Sequence, residues 1–319
     1  MPAEMMCFGE VWAPKELSLF TCVTSFVISL IASIGNGIII FAVIKDPFNK
    51  LHTPFNYFLV NLAVADMIVG CVSMPISVYI HYMEYTGVMT AVLGDLLHIS
   101  SLVSNMASEL SIVALAVDRY LAVSDAIKYR TKVSWTRCII ATVTIWVVSL
   151  SVPFLRLTLG YIQYLTIFVS SAILVGSITL VTLYFKVIKV LKKQSAILSQ
   201  HLDNSKRSKR EFDKKRLAME QKVTKVFFIM ALVFLVIHLP AAIMIFILRT
   251  CANCHCKLRH VLRDLQFLLT SVNSTTNPFV VTLRSGIYRN AVKKIFCGKE
   301  EQERKMTEEI SISTSQQEA

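Results

Sequence analysis

Three ionisable residues stand in windows of sequence otherwise too apolar to hold them: Asp66, Glu109 and His238, the last two positions before Pro240. A charge inside a hydrocarbon-spanning helix costs a few kcal/mol or more, so each marks a functional site. Oxygen-bearing residues that could meet Asp66 are Ser108, Asn273, Ser274 and Asn277. A hard cation such as sodium held by those oxygens would offset burial of the carboxylate, and so would protonation of Asp66 or a hydrogen-bonded network with water and no ion. Glu109 is either neutral or paired with a cation such as protonated His238, unless backbone or water satisfies each separately. A relay through Asp66, Glu109 and His238 would suit an ion or proton transporter, whereas Glu109, His98 and His238 together would suit a proton sensor. There is no Ser, His and Asp constellation and no phosphate-cradling glycine loop, so an enzyme is not expected.

The elements that position these groups follow from composition. Of 319 residues, 54% are hydrophobic and only 17% charged, against about a quarter charged in a soluble domain. A bilayer core of about 30 Å needs roughly 20 apolar residues in a helix that satisfies its own backbone. Seven segments qualify, at 17–44, 54–82, 88–118, 138–155, 157–185, 226–248 and 262–283. The expected fold is therefore an all-α membrane protein, a seven-helix bundle over 17–283 after a short N-terminus of 1–16.

Seven spans put the two termini on opposite sides. Alternate connectors hold 27 of the 33 Lys and Arg residues, so the positive-inside rule sets the N-terminus outside and the C-terminus inside. This distribution, in short connectors rather than on one face, argues against nucleic acid as the reason for the net charge of +12. Residues 1–16 lack the basic start and cleavage site of a secretory signal, so the first span is expected to serve as its own signal. The connector at 186–225 reads as a basic loop for anionic lipid or a docking partner. The one between spans four and five, about half a dozen residues, is too short for a lid.

Taken together, Gly35-Asn36, Asn61 to Asp66, Asp118-Arg119-Tyr120, Trp146, Tyr184, Phe234, Pro240 and Asn277-Pro278 fall in an order that resembles rhodopsin-like (class A) G-protein-coupled receptors over nearly the whole chain. The resemblance implies a plasma-membrane receptor that turns binding of an extracellular ligand, a small molecule, lipid or peptide, into activation of a heterotrimeric G protein. Arg119 would pair with acidic partners at rest, Glu220 being the matching acid on span six, and would meet the G protein when span six swings outward. Asp66, Ser108, Asn273, Ser274 and Asn277 match the family's sodium pocket, the one allosteric ion implied; no cofactor is required. Glu109, Phe234, His238, Pro240 and Pro278 make up the switch region. It is unusual: His238 replaces a tryptophan, Gly176 a proline, Glu109 an aliphatic residue and Val281 the tyrosine that would meet Tyr184. A membrane protein that binds ligand without coupling is the reading those changes leave open.

The matching position for the usual span-three cysteine is Gly94, so the bridge to the next extracellular loop cannot form. That pattern resembles the melanocortin, cannabinoid, lysophospholipid and adenosine branch, although the acidic pocket of melanocortin receptors is absent at Ile76, Gly94 and His98. Cys7, Cys251, Cys254 and Cys256 are disulfide candidates with three complete pairings, and a Cys/His metal site involving His255 is a weaker alternative. The resemblance places Ser101 where amine receptors carry a carboxylate and Ser271 where retinal proteins carry lysine. His98, Ser101, Ser104 and His238 are the expected ligand-pocket residues, beside Val103. After span seven, 284–298 reads as an amphipathic eighth helix on the inner leaflet with Cys297 as a palmitoylation candidate. The tail at 299–319 reads as disordered, with hydroxyl residues that could be phosphorylated by a receptor kinase for arrestin.

Overall fold

The computed structural model describes residues 13–88, 91–124, 135–159, 161–164, 167, 170–200, 207–251 and 254–295. The long helices are α1 (Lys15–Lys45), α2 (Pro54–Thr86), α3 (Ala91–Ser124), α4 (Trp135–Ser151), α5 (Ser170–Gln200), α6 (Arg207–Thr250) and α7 (Cys256–Arg284), followed by a shorter α8 at 286–295. Six of them are long and apolar enough to cross a membrane. The seventh, α7, is long enough but mixed in polarity. It carries Lys257, Arg259, Arg263 and Asp264 in its first turns, and its buried face holds Gln266, Thr270, Asn273 and Asn277. It packs on α6 and α1, so its polar groups point into the bundle while Leu265, Phe279 and Leu283 stay exposed. Large apolar side chains such as Phe26, Ile140, Leu174, Phe185, Val236 and Phe246 form the outward surface, as expected where lipid is the solvent.

The helices depart from the sequence expectation on both sides of α5. α5 begins at Ser170 rather than at 157, because Arg156–Leu159 and Tyr161–Tyr164 form separate single-turn helices. The connector after α4 is thus longer than anticipated, and it is not idle: Tyr164 is buried against Leu102, Val152 and Ile245. The basic stretch expected as a loop is mostly helix, with α5 running on to Gln200 and α6 starting at Arg207. At 44 residues and 1.5 Å per residue, α6 is about 66 Å long, twice the hydrocarbon thickness.

Close approaches fix neighbouring helices. Within α2 a π-helical turn at Val69–Ser73 lets Gly70 press on α1: a Cβ there would lie 2.6 Å from Ser33 Oγ and 2.7 Å from its backbone nitrogen. Ser29 donates to the Gly70 carbonyl at 2.7 Å. Spans two, three and four are tied by Asn61, whose amide donates to Ser111 Oγ at 2.7 Å and whose carbonyl accepts from the Trp146 indole at 2.8 Å. On α8, Tyr288 and Ala291 are buried, and Tyr288 donates to Asn56 Oδ1 at 3.1 Å. Cys297 and the tail lie outside the described residues.

The turn between α1 and α2 is built on Asp46. Its carboxylate accepts from the Lys50 and Leu51 backbone amides at 2.9 and 2.8 Å and from His52 Nδ1 at 2.6 Å. Burial pushes this carboxyl up, but the three donors outweigh it and hold it below its ordinary value. A depressed carboxylate stabilises the fold above its unfolded pKa and loses that contribution as pH falls through the folded one. Asp46→Ala is expected to cost about 1–2 kcal/mol at neutral pH, as loss of a cap does. Thermal unfolding of the purified protein checks this, and the gap between wild type and variant should close on acidification.

Candidate functional site

Two polar constellations lie on one axis of the bundle. The first surrounds Asp66, which is wholly buried in α2. Ser108 of α3 donates to its Oδ1 at 3.1 Å and the Asn277 amide of α7 to its Oδ2 at 2.7 Å, with the Ser274 hydroxyl as a third donor. The expected convergence of spans two, three and seven is therefore present. Asn36 of α1 donates to the Ser274 carbonyl at 2.9 Å and extends the seam to a fourth helix. Asn273 Oδ1 and Asn36 Oδ1 are buried with no hydrogen-bond partner. Asn273 shares the α7 face of Ser274 and Asn277. The Asp66 carboxylate with two hydroxyls, and an unpartnered amide oxygen on the same α7 face, make an all-oxygen donor set of the kind that fits a hard cation such as sodium.

The second constellation is a cavity that the sequence reading only partly located. α3 lines it with Leu102, Asn105, Met106 and Glu109, the i, i+3, i+4, i+7 stripe of one helix face. Tyr164 from the connector, Ala172 and Ile173 from α5, His238 and Ile245 from α6, and Gln266 and Thr270 from α7 complete it. His238 and Glu109 are therefore in the cavity, but Ser101, Ser104 and His98 do not line it. Ser104 lies a third of a turn away, on the face that meets α2, where it donates to the Ala65 carbonyl at 2.7 Å. Ser101 and Val103 are buried off the cavity as well. Of the lining residues the sequence points only to Glu109 and His238; among those it does not are Tyr164 and Gln266. Sequence offers no signal for the first, because a connector tyrosine shows no periodicity, whereas Gln266 in a span was a polar anomaly of the kind already used for Asp66.

Glu109 and His238 share the cavity without forming an ion pair, so the suggested direct contact is not made. His238 Nδ1 instead donates to the Phe234 carbonyl one turn earlier at 3.0 Å, and its ring stacks on buried Phe234 at 4.0 Å. No hydrogen-bond donor meets Glu109 among the described residues. Space for its carboxylate comes from α5: a Cβ on Gly176 would overlap Glu109 Oε1 and come within 3.3 Å of its Cδ. The glycine at the usual proline position is thus matched to the glutamate at the usual aliphatic position.

At the other end of the bundle Arg119 is buried, held by Asp118 Oδ2 through Nη2 at 2.6 Å and Nε at 3.1 Å, with its guanidinium 4.6 Å from the Phe55 ring. Glu220 falls on α6, but its side chain lies outside the described residues, so its pairing with Arg119 is not seen. Tyr120 is half-buried, with Lys186 over its ring at 5.9 Å. Tyr184 stacks on Phe228 of α6 at 4.2 Å, and Val281 fills an apolar position in the core near Tyr288. Pro240 and Pro278 sit inside unbroken α6 and α7. Cys251 and Cys254 form a disulfide and Cys256 is also disulfide-bonded, which excludes a thiolate metal site with exposed His255. Cys7 lies outside the described residues.

The class of protein that carries a buried carboxylate seam, a cavity and a clamped arginine in a bundle of membrane-length helices is a polytopic membrane protein. The pattern of the 7 transmembrane receptor (rhodopsin family) matches residues 35–280, and the chain belongs to that family. It is a multi-pass G-protein-coupled receptor for an extracellular ligand. Dopamine receptor 4 of Caenorhabditis elegans is 30% identical over 150 residues, 45% of this chain and 29% of that receptor. The mouse 5-hydroxytryptamine receptor 2C is 26% identical over 324 positions, covering 85% of this chain and 70% of the receptor. The dog 5-hydroxytryptamine receptor 1D is 24% identical, covering 90% and 91%. These relatives do not support the melanocortin, cannabinoid, lysophospholipid and adenosine branch suggested by the loops and cysteines, and the short connector that pointed there is itself longer in the structure, α5 beginning at Ser170.

The pairing of Gly176 with Glu109 is testable. Gly176→Val should lower stability by about 1–3 kcal/mol through overpacking, and Glu109→Ala in the same chain should recover most of it. Thermal unfolding of the four members of this double-mutant cycle reads the coupling; additive effects would show that the two residues are independent.

Proposed function

We propose that this receptor takes a small organic cation in the cavity and couples its binding to an outward swing of α6 on a heterotrimeric G protein. The observation that carries the ligand class is Glu109: a carboxylate lining the cavity, with no donor among the described residues. The relatives' names speak of dopamine and 5-hydroxytryptamine, but their amine carboxylate position is Ser101 here. Glu109 lies eight residues further along α3, about 12 Å deeper, so a cationic nitrogen would be held lower, between α3, α5 and His238. Tyr164 would cover it from the connector.

In this reading the end of the bundle with the Cys251–Cys254 disulfide faces outward from the plasma membrane, in keeping with the oxidising side and with the basic residues at the opposite end. Asp118 restrains Arg119 at rest, with Glu220 as the acid on α6, and Arg119 meets the G protein when α6 moves. His238 of α6 lines the cavity and stacks on Phe234 behind it, so a ligand there bears on the moving helix. Ligand shifts the balance only by the difference in its affinity for the two arrangements. A sodium ion at Asp66, with Asn273 and Ser108 oxygens, would favour the resting one. Arrestin, a receptor kinase, lipid contacts of the basic α5 and α6 extensions, and a palmitoyl group on Cys297 complete the proposal.

Guanine-nucleotide exchange on purified heterotrimers tests it. The reconstituted receptor should accelerate exchange, Arg119→Ala should abolish the effect, and a panel of monoamines should raise it in wild type but not in Glu109→Gln. Sodium in place of potassium should lower basal exchange, and Asp66→Asn should remove that difference. No acceleration of any heterotrimer by a folded receptor would instead favour a ligand-binding protein that does not couple.

A further inference from the structure

A separate cluster joins α1, α2 and α7 at the disulfide end. His81 and Asp264 are both buried, and Glu84 is half-buried beside them. His81 Nδ1 is 2.8 Å from the Ser77 carbonyl, which can only accept, so Nδ1 carries a proton and in the neutral ring Nε2 presents a lone pair. That nitrogen faces Asp264 Oδ2 at 3.8 Å, within ion-pair range but too far for a hydrogen bond, and Oδ2 is a buried oxygen with no hydrogen-bond partner. With a neutral ring the two acceptors facing each other in this buried pocket repel unless a proton or a metal cation lies between them. The ligand atoms of His81, Glu84 and Asp264 all lie within 4.8 Å of one another.

We propose that His81, Glu84 and Asp264 form a binding site for a divalent transition-metal cation, zinc being the type. A tetrahedral zinc holds nitrogen and oxygen ligands at about 2.0–2.2 Å, which sets them about 3.4 Å apart; the His81–Asp264 pair at 3.8 Å closes by a few tenths of an ångström, and the half-buried Glu84 side chain supplies the larger adjustment. The hydrogen bond from Nδ1 to a backbone carbonyl is the arrangement that orients a metal-bound histidine. Arg263 does not block it. Its Nε donates to Asp264 Oδ1 at 2.7 Å and leaves Oδ2 open, while its Nη2 stands 3.8 Å from Glu84 Oε1, a contact the metal replaces. Ser18 of α1 donates to the other Glu84 oxygen at 3.0 Å and steadies it. Three protein ligands leave a fourth position for water or an arriving ligand group, and the bound ion would fasten α2 to α7.

The inference is independent of the receptor's ligand and of coupling, so it is tested on the purified full-length chain with zinc chloride alone. Micromolar zinc should raise the Tm by about 2–6 °C at saturation and magnesium should not. His81→Ala and Asp264→Asn should each weaken zinc's apparent affinity at least tenfold, with Glu84→Gln intermediate. If His81→Ala fails to fold, His81→Gln takes its place. The absence of a zinc-dependent shift in wild type, or an equal shift in the His81 and Asp264 variants, overturns the proposal.

Discussion

The structure depends on one constraint: a carboxylate buried in lipid must find its donors on other helices. Asp66 meets this with Ser108, Ser274 and Asn277, and thereby links α2 to α3 and α7 at the centre of the bundle. The same demand explains why α7 is the least apolar crossing. Its polar face is spent inward, against Asp66, Asn36 and the cavity, and its packing on α6 and α1 hides that face from the hydrocarbon. Helices held by such shared polar groups have discrete arrangements rather than a continuum, because breaking one bond strands its partner in low dielectric.

Above this seam the cavity shows how altered positions compensate one another. Glu109 fits because Gly176 leaves room for it. His238 turns its Nδ1 back to Phe234 and stacks on that ring, taking up the space above the proline with an aromatic layer. Val281 joins the apolar core, while Tyr288 carries a hydroxyl to Asn56 from α8. Below the seam, Arg119 is buried against Asp118 and Phe55, an arrangement suited to rest.

The bundle was legible from the sequence because lipid imposes length and polarity on every crossing, and Asp66 with its partners was legible because charge in such windows is costly. Other features were not. The start of α5 was misplaced since residues 157–169 are as apolar as a span, and only tertiary packing shows Tyr164 folding back as a plug. The α5 and α6 extensions read as a loop in the sequence because a polar, basic helix carries no apolar stripe to announce it. Ser101 and Ser104 were assigned to the cavity by analogy of position, when a rotation of one residue along α3 carries the lining stripe to Leu102, Asn105 and Glu109. His81 and Asp264 lie 183 positions apart in the chain, and no local pattern joins them.

The central claim is mechanical: α3 holds still while α6 swings at the end that carries Arg119. Spin labels at Ser124→Cys on α3 and Lys225→Cys on α6, in a chain that retains its disulfides and has its free surface thiols removed, measure that distance by double electron-electron resonance. The account predicts one short distance in the isolated receptor and a longer population when nucleotide-free G protein is bound. A distribution unchanged by the G protein would contradict it.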